Sequence, residues 1–324
     1  MLPNCIIVGA PKAGTSSLFR WLTDHPEVAG STQKETYYFV DPGTHMYLKQ
    51  RNWAESGLAG YEMLFEHCNP SARVIVESTP SYMYSQTALR ELPRLPSQPR
   101  FIFILREPVA QLKSLYGYFR ENWDWIPGAM SFRDFVEAAD LGTCTFKGNE
   151  LARQALTNAS YLEHLRRWRA GCGRERMHVY LFENMVRDKR AFMESLAQVL
   201  GISTEFYREY GFPTENGSYV VRSRWVQQVN IRVRSLIPKG AGYETLRRFY
   251  RTMNTKPQRN SQMWDSETER MLSRRYVDMI HELEREFGLN ASAWRHAIAA
   301  RLNVSHDFTA RAVSATQADL GTFQ

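Results

Sequence analysis

Short apolar runs rich in β-branched residues alternate with amphipathic stretches along most of this chain. The apolar runs predict strands at residues 5–9, 73–77, 100–105 and 177–182. Apolar residues at helical spacing predict helices at residues 15–24, 84–92, 108–121, 158–170, 188–200 and 265–294. Because strands and helices alternate, we expect an α/β fold: a parallel β-sheet flanked by helices on both faces, with ligands at the carboxyl ends of its strands.

The first predicted strand runs into a Gly- and Pro-containing turn that opens a helix, the arrangement of a P-loop-type sheet. Such a unit points backbone N–H groups and the positive end of a helix dipole at an anion. Gly14 allows close approach of the backbone, and Lys12 adds a positive charge. The candidate phosphate-binding residues are Lys12, Ala13, Gly14, Thr15, Ser16 and Ser17.

The spacing within this turn bears on which phosphate compound it would bind. In the nucleoside-triphosphate loop GxxxxGK[ST], the lysine directly follows the second glycine, whereas here Lys12 precedes Gly14 by two residues. This spacing disfavours a standard kinase or ATPase. The segment PKAGTSSL, residues 11–18, resembles instead the 5′-phosphosulfate loop of the sulfotransferases that use 3′-phosphoadenosine 5′-phosphosulfate (PAPS). A structural strand–helix turn and a divergent kinase are the alternatives on the loop alone.

A second segment resembles the 3′-phosphate segment of the same family. Arg106 directly follows the strand at 100–105, and Ser114 lies two helical turns later. An arginine offers a planar fork to a phosphate, and a serine offers a hydroxyl. Taken alone, the pair fits a strand-end arginine and a serine on an amphipathic helix equally well.

Two further motifs resemble the glycan-modifying, heparan-sulfate-sulfotransferase-like and bacterial branch. QKETYYF, residues 33–39, is similar to its KExx[FY]F pattern, which implies that Glu35 is the general base; the alternative is an exposed loop carboxylate. VESTPSYM, residues 76–83, resembles its ExxPxY segment and makes Glu77 the next candidate base. Many glycan-modifying relatives carry a lysine where this chain has Ser78, so one of their substrate contacts is missing.

Resemblance implies roles for several other side chains. Tyr161 and Trp168 would lie on the donor side, although core packing explains both aromatics equally well. Arg222 and Arg224 would reach the 3′-phosphate from a late basic loop; an arginine-rich surface helix is the alternative. His25, at the end of the first helix, is assigned a structural role.

Composition bounds the organisation of the chain. Its 324 residues, 43% hydrophobic, suit one catalytic domain at 1–302 followed by a flexible tail at 303–324. A net charge of +7 suits a phosphorylated donor, and without a nucleic-acid module we expect no nucleic-acid partner. The four scattered cysteines, the absence of a signal-like amino terminus and the lack of a long apolar run predict a cytoplasmic protein with reduced thiols and no membrane span.

The resemblance implies a reaction as well as a fold. A sulfuryl group would pass from PAPS, by in-line displacement and without a metal, to a hydroxyl or amine of a small-molecule, glycan or carrier-bound acceptor. Lys12 would stabilise the leaving group and Glu35 would accept the proton. The alternatives are a P-loop phosphotransferase and a non-catalytic nucleotide-binding protein on the same fold. Segments 41–61 and 121–158 are expected to shape the acceptor pocket, and they carry no motif.

Overall fold

A five-stranded parallel sheet lies at the centre of Met1–Met263, the first of two units in the computed structural model. The structure describes residues 1–213, 219–221, 223, 225–226, 229, 255–257 and 264–303. The strands are β1 (Cys5–Gly9), β2 (Val28–Gly30), β3 (Val74–Ser78), β4 (Arg100–Leu105) and β5 (Met177–Leu181), in the spatial order β2-β3-β1-β4-β5. The predicted α/β fold, a P-loop-type parallel sheet flanked by helices on both faces, is therefore confirmed.

Helices connect and follow these strands. In the first unit they are α1 (Thr15–Thr23), α2 (Trp53–Glu62), α3 (Gln86–Glu91), α4 (Pro108–Asn122), α5 (Phe132–Leu141), α6 (Glu150–Arg153), α7 (Ala155–Asn158), α8 (Tyr161–Cys172), α9 (Phe182–Arg187) and α10 (Lys189–Leu200). A short antiparallel pair, β6 (Tyr219–Val221) and β7 (Thr255–Pro257), is separate from the main sheet.

The strand order brings the predicted functional segments together. In the register of the sheet, Ile6 of β1 lies between Glu77 of β3 and Phe101 of β4. All five residues of β1 and of β3 are buried, as expected for parallel strands covered on both faces. The segments that follow β1, β3 and β4 therefore leave the same edge of the sheet side by side, which places Lys12, Glu77 and Arg106 at one end.

Several predicted elements differ from the structure in instructive ways. The three-residue strand β2 is too short to give an alternating pattern, and the sequence did not predict it. The segment predicted at 158–170 begins at Tyr161, because α7 occupies the residues up to Asn158. The long helical pattern at 265–294 is two helices, since Gly288 adopts a left-handed conformation with φ of 67° and ends the first.

The second unit, Trp264–Gln324, contains those two helices, α11 (Ser266–Phe287) and α12 (Ser292–Leu302). Asp265 caps α11 by accepting hydrogen bonds from the N–H groups of Glu267 and Thr268. An ion pair of 3.3 Å joins Arg301 of α12 to Glu269 of α11. The division into a catalytic domain at 1–302 and a tail at 303–324 stays a prediction.

Two further expectations concern the thiols and the membrane. All four cysteines are free, and Cys144 is the one that is half-exposed while the other three are buried. Across the described residues, no helix combines the length and the apolar character needed to cross a membrane.

Candidate active site

The loop after β1 is tied to the sheet and closely packed. The N–H of Ala10 donates to the Ile104 carbonyl of β4 at 2.7 Å. Gly14, with φ of 83°, is the N-cap of α1 and provides no side chain to cap it. A Cβ at Gly14 would lie 2.6 Å from Cε of Met185 and 2.9 Å from the Phe182 ring, so only glycine fits. The first turn of α1 thus directs its N–H groups toward this loop.

Lys12 lies at the centre of the candidate site, with its backbone in the left-handed region at φ of 67°. Its ammonium group sits 4.0 Å from the centre of the Tyr118 ring of α4, a cation–π contact. Burial and, after it, the charge of Arg106 lower the pKa of Lys12 to about 8, while Glu35 opposes the shift. A negatively charged ligand would therefore stabilise the charged form of this half-buried lysine.

Arg106 is held directly beside the same loop. Its Nη1 donates to the Lys12 carbonyl at 3.2 Å, and its guanidinium lies 4.8 Å from the centre of the Phe182 ring. The Tyr161 hydroxyl donates to the Arg106 carbonyl at 2.9 Å, which brings Tyr161 to the predicted side of the sheet. Burial lowers the pKa of Arg106, yet a guanidinium stays charged at any physiological pH.

One face of α4 is directed toward the loop after β1. Gln111 donates from Nε2 to the Pro11 carbonyl at 3.1 Å, and Tyr118 lies beneath Lys12. Ser114 is three residues after Gln111 and four before Tyr118, so the three side chains share a helix face. Ser114 is half-buried there, and its contact with a 3′-phosphate stays a prediction. Arg222 and Arg224 lie outside the described residues.

The segment carrying Glu35 is anchored to the end of β3. The Glu35 N–H donates to the Ser78 carbonyl at 2.9 Å, and the backbone is left-handed at φ of 64°. Its carboxylate accepts from Lys34 Nζ at 2.6 Å and from the Tyr37 hydroxyl at 2.5 Å. Burial acts to raise the pKa of Glu35, but Lys34, the Tyr37 hydrogen bond and Lys12 outweigh it and hold the pKa below its ordinary value. Glu35 is therefore an ionised carboxylate.

Glu77 is a second carboxylate close to Glu35, but its side chain is 0% exposed. One oxygen accepts from the hydroxyls of Thr36 and Thr79 at 3.1 and 2.5 Å, and the other accepts from the Tyr61 hydroxyl at 3.3 Å. Burial raises the pKa of Glu77 to about 7. A carboxyl enclosed by hydroxyls of its own fold supports the loop and is shielded from solvent.

Trp168 and His25, two other residues considered from the sequence, make the contacts of structural residues. Trp168 packs against Phe101 and Phe103 of β4 and donates from Nε1 to the Met83 carbonyl at 3.1 Å, so it belongs to the core. His25 is 1% exposed; its ring bonds the Ser203 carbonyl through Nε2 and accepts from the Glu27 N–H through Nδ1.

The sequence did not single out three aromatic contacts of this site. Tyr37 binds Glu35, Tyr118 lies under Lys12, and Phe182 lies against Arg106. Helical spacing from Ser114 was the available signal for Tyr118. No local signal distinguishes Tyr37 within the aromatic run at 37–39, where Tyr38 and Phe39 are core residues.

Comparison with known proteins decides the family. The model of the sulfotransferase family matches residues 3–205. This chain belongs to the sulfotransferase family. The matched region contains Lys12, Glu35, Arg106 and Ser114, and it ends before Arg222 and Arg224.

Curated sulfotransferases are similar at low identity. The membrane-associated sulfotransferase kil1 of Dictyostelium discoideum is 26% identical over 171 residues, covering 50% of this chain and 33% of kil1. Mouse heparan sulfate glucosamine 3-O-sulfotransferase 6 is 26% identical over 262 residues, covering 78% of this chain and 70% of that enzyme. This sulfotransferase-family chain thus spans a third of the length of kil1.

A solved structure supports the same fold. The sulfotransferase from Alicyclobacillus acidocaldarius superposes with a TM-score of 0.65 at 20% identity, covering 91% of this chain and 99% of the other. At this identity, the likeness concerns the fold alone.

Proposed function

We propose that this sulfotransferase-family chain transfers a sulfuryl group from PAPS to a hydroxyl or amine of an acceptor. The observation that carries the proposal is the meeting of three groups at one end of the sheet. Lys12 touches Arg106 through its carbonyl and interacts electrostatically with Glu35. A cation for the leaving phosphate, a fork for a second phosphate and an ionised base are the groups this reaction needs.

The residues proposed to bind the sulfuryl donor fit a compound with two separate phosphate groups. The Gly14 turn and the first turn of α1 suit the 5′-phosphosulfate, with Lys12, Ala13, Thr15, Ser16 and Ser17 as the surrounding residues. Arg106 and Ser114 suit the 3′-phosphate, and Arg222 and Arg224 remain proposed further contacts. PAPS, when bound, supplies an activated sulfuryl group on a phosphate leaving group, and 3′-phosphoadenosine 5′-phosphate (PAP) remains after transfer.

Within this arrangement, each residue has a distinct task. Lys12 neutralises the charge that develops on the bridging oxygen of the leaving phosphate. Glu35 accepts the proton of the acceptor hydroxyl or amine. Lys34 donates to one oxygen of the Glu35 carboxylate and Tyr37 to the other, and an acceptor hydroxyl would donate to a remaining lone pair of the same carboxylate. The metal-free reaction and the cytoplasmic location stay predictions.

A ligand-binding experiment tests the donor directly. PAP should raise the melting temperature, since a ligand that binds only the folded state stabilises it. Arg106→Ala should weaken PAP binding by about 1.5–3 kcal/mol, the worth of a charge-assisted contact, and Ser114→Ala should weaken it less. Equal or stronger stabilisation by magnesium-ATP would favour the phosphotransferase alternative and overturn the proposal.

A further inference from the structure

The ammonium group of Lys12 packs against an aromatic ring of the neighbouring helix. Its Nζ lies 4.0 Å from the centre of the Tyr118 ring of α4, and both side chains are half-buried. Within the described part of the chain, this ammonium has no hydrogen-bond partner. The face of the Tyr118 ring is therefore its direct contact.

Two hydrogen bonds hold the backbone around Lys12 against the start of α4. Gln111 donates from Nε2 to the Pro11 carbonyl at 3.1 Å, and Arg106 donates from Nη1 to the Lys12 carbonyl at 3.2 Å. Tyr118 follows Gln111 by seven residues, or about two helical turns, so both side chains lie on the same face of α4. Because the backbone of Lys12 is fixed at one end of this face and its ammonium contacts the ring at the other, the position of the ammonium depends on Tyr118.

Tyr118 is also close to the segment that carries the candidate base. Burial, the charge of Glu35 and the nearby phenol of Tyr118 together raise the pKa of Tyr37, so the two phenols are neighbours. The Tyr37 hydroxyl in turn donates to Glu35 at 2.5 Å. A ring at this place keeps the Lys12 cation on the side of the loop that faces Glu35.

The groups that surround Lys12 mostly disfavour its charged form. Burial and then Arg106, at the end of β4, lower the pKa of Lys12 to about 8; Glu35 opposes this shift, and Lys34, on the same segment as Glu35, adds to it. The face of an aromatic ring attracts a cation, and more strongly where water is excluded. The Tyr118 ring, on α4, therefore stabilises the charged form of Lys12.

We propose that Tyr118 is a positioning residue, whose ring holds the charged Lys12 ammonium where the leaving phosphate of the donor binds. A cation that is already in place needs no reordering when charge develops on the leaving group. The face of the ring is what this role requires, and the hydroxyl is not needed for it. The inference rests on the proposed function, since Tyr118 acts on the donor through Lys12.

The pH dependence of PAP binding to the full chain tests this without an acceptor. A bound phosphate favours the charged form of Lys12, so PAP affinity should fall as pH rises through the pKa of about 8. With this pKa, the wild-type affinity should fall by about 10-fold between pH 7 and 9. Tyr118→Leu should lose several-fold more over this range, because its Lys12 loses the proton at lower pH. Tyr118→Phe keeps the ring and should follow wild type. Isothermal titration calorimetry measures each affinity.

Two variants serve as controls. Lys12→Met has no ammonium to titrate, so the fall that it retains measures other groups, such as Glu77, whose pKa burial raises to about 7. Tyr210→Leu changes a tyrosine that lies outside the site, where its hydroxyl donates to Asp24 at 2.6 Å, and should follow wild type. Melting temperatures without ligand at pH 7 show that each variant is folded. Tyr118→Met replaces Tyr118→Leu if the leucine variant is not folded.

Three outcomes would overturn the positioning inference alone. They are a ringless Tyr118 variant that runs parallel to wild type, a Tyr118→Phe profile that follows the ringless variant, and a wild-type fall no larger than that of Lys12→Met. Failure of the wild-type chain to bind PAP would instead overturn the proposed function, and the inference with it.

Discussion

Glu35 and Glu77 lie on neighbouring segments, yet their surroundings favour opposite protonation states. Glu35 accepts from an ammonium group and a phenol, and its pKa is held below the ordinary value. Glu77 accepts only from hydroxyls in a buried position, and burial raises its pKa to about 7. Burial alone penalises the charged form, whereas nearby cations stabilise it. The partners of a carboxylate therefore indicate its role better than its position after a strand.

The buried carboxylate also supports the one beside it. Thr36, which donates to Glu77, directly follows Glu35. The Tyr37 N–H approaches the Thr79 hydroxyl at 3.5 Å, and that hydroxyl donates to Glu77. Glu77 is thus a positioning residue that fixes the backbone on which the candidate base is mounted.

The largest expected effect separates the two carboxylates by turnover. Glu35→Gln keeps the shape but accepts no proton, so turnover should fall by roughly 10²–10⁴-fold with PAP affinity unchanged. The wild-type rate should fall in acid only below the ordinary pH range of a glutamate, since the pKa of Glu35 is lowered, and this acid-side fall should vanish in the variant. Glu77→Gln is the matched control and should lose less than about 10-fold. The reverse order would make Glu77 the base.

Lys12→Met should have the next largest effect. The variant removes the charge that matters most as the leaving group develops, so turnover should fall by about 10²–10³-fold and PAP affinity by less. Loss of this cation should also raise the pKa of Glu35, so the rate should begin to fall at a higher pH on the acid side. Lys189→Met is the control, because Lys189 also faces an aromatic ring, that of Trp21, outside the site. Normal turnover in Lys12→Met would show that the loop is wrongly assigned.

Some parts of this site could be predicted from the sequence and others could not. The sequence placed Lys12 and Arg106 correctly at strand ends because a parallel sheet aligns the segments that follow its strands. It did not indicate that Tyr37 binds Glu35, that Tyr118 underlies Lys12, or that His45 meets Trp125. These contacts depend on where distant segments pack, which no local pattern encodes. The resemblance named Glu35 as the base and Glu77 as the next candidate, but the partners that set the pKa of each carboxylate are fixed only by the fold.

Unfolding measurements against pH test the difference between the carboxylates independently of any acceptor. The pKa of Glu77 is raised to about 7 in the folded chain against a usual value near 4.5, so its stabilisation is complete below about pH 4.5 and is lost as pH rises to about 7. Glu77→Gln stays neutral and should therefore gain up to roughly 3 kcal/mol relative to wild type between pH 5 and 8.

Urea unfolding of both forms at pH 5, 6, 7 and 8 measures this gain. Glu137→Gln, at an exposed carboxylate paired with Arg133, serves as control and should run parallel to wild type across this range. Parallel curves for Glu77→Gln would mean that Glu77 is charged in the folded protein, which would remove the contrast with Glu35.

The smallest expected effect concerns the hydroxyls that reach each carboxylate. Tyr37→Phe removes a 2.5 Å hydrogen bond to Glu35, so the pKa of Glu35 should rise and the acid-side fall in rate should move to higher pH. Tyr61→Phe removes a hydroxyl from Glu77 and should leave that acid-side fall in place, because Glu77 accepts no proton from the acceptor. The comparison is made by measuring the rate of both variants against pH, with PAPS and one acceptor. An equal displacement in the two variants would mean that the carboxylates titrate as one unit, and the division of roles between them would fail.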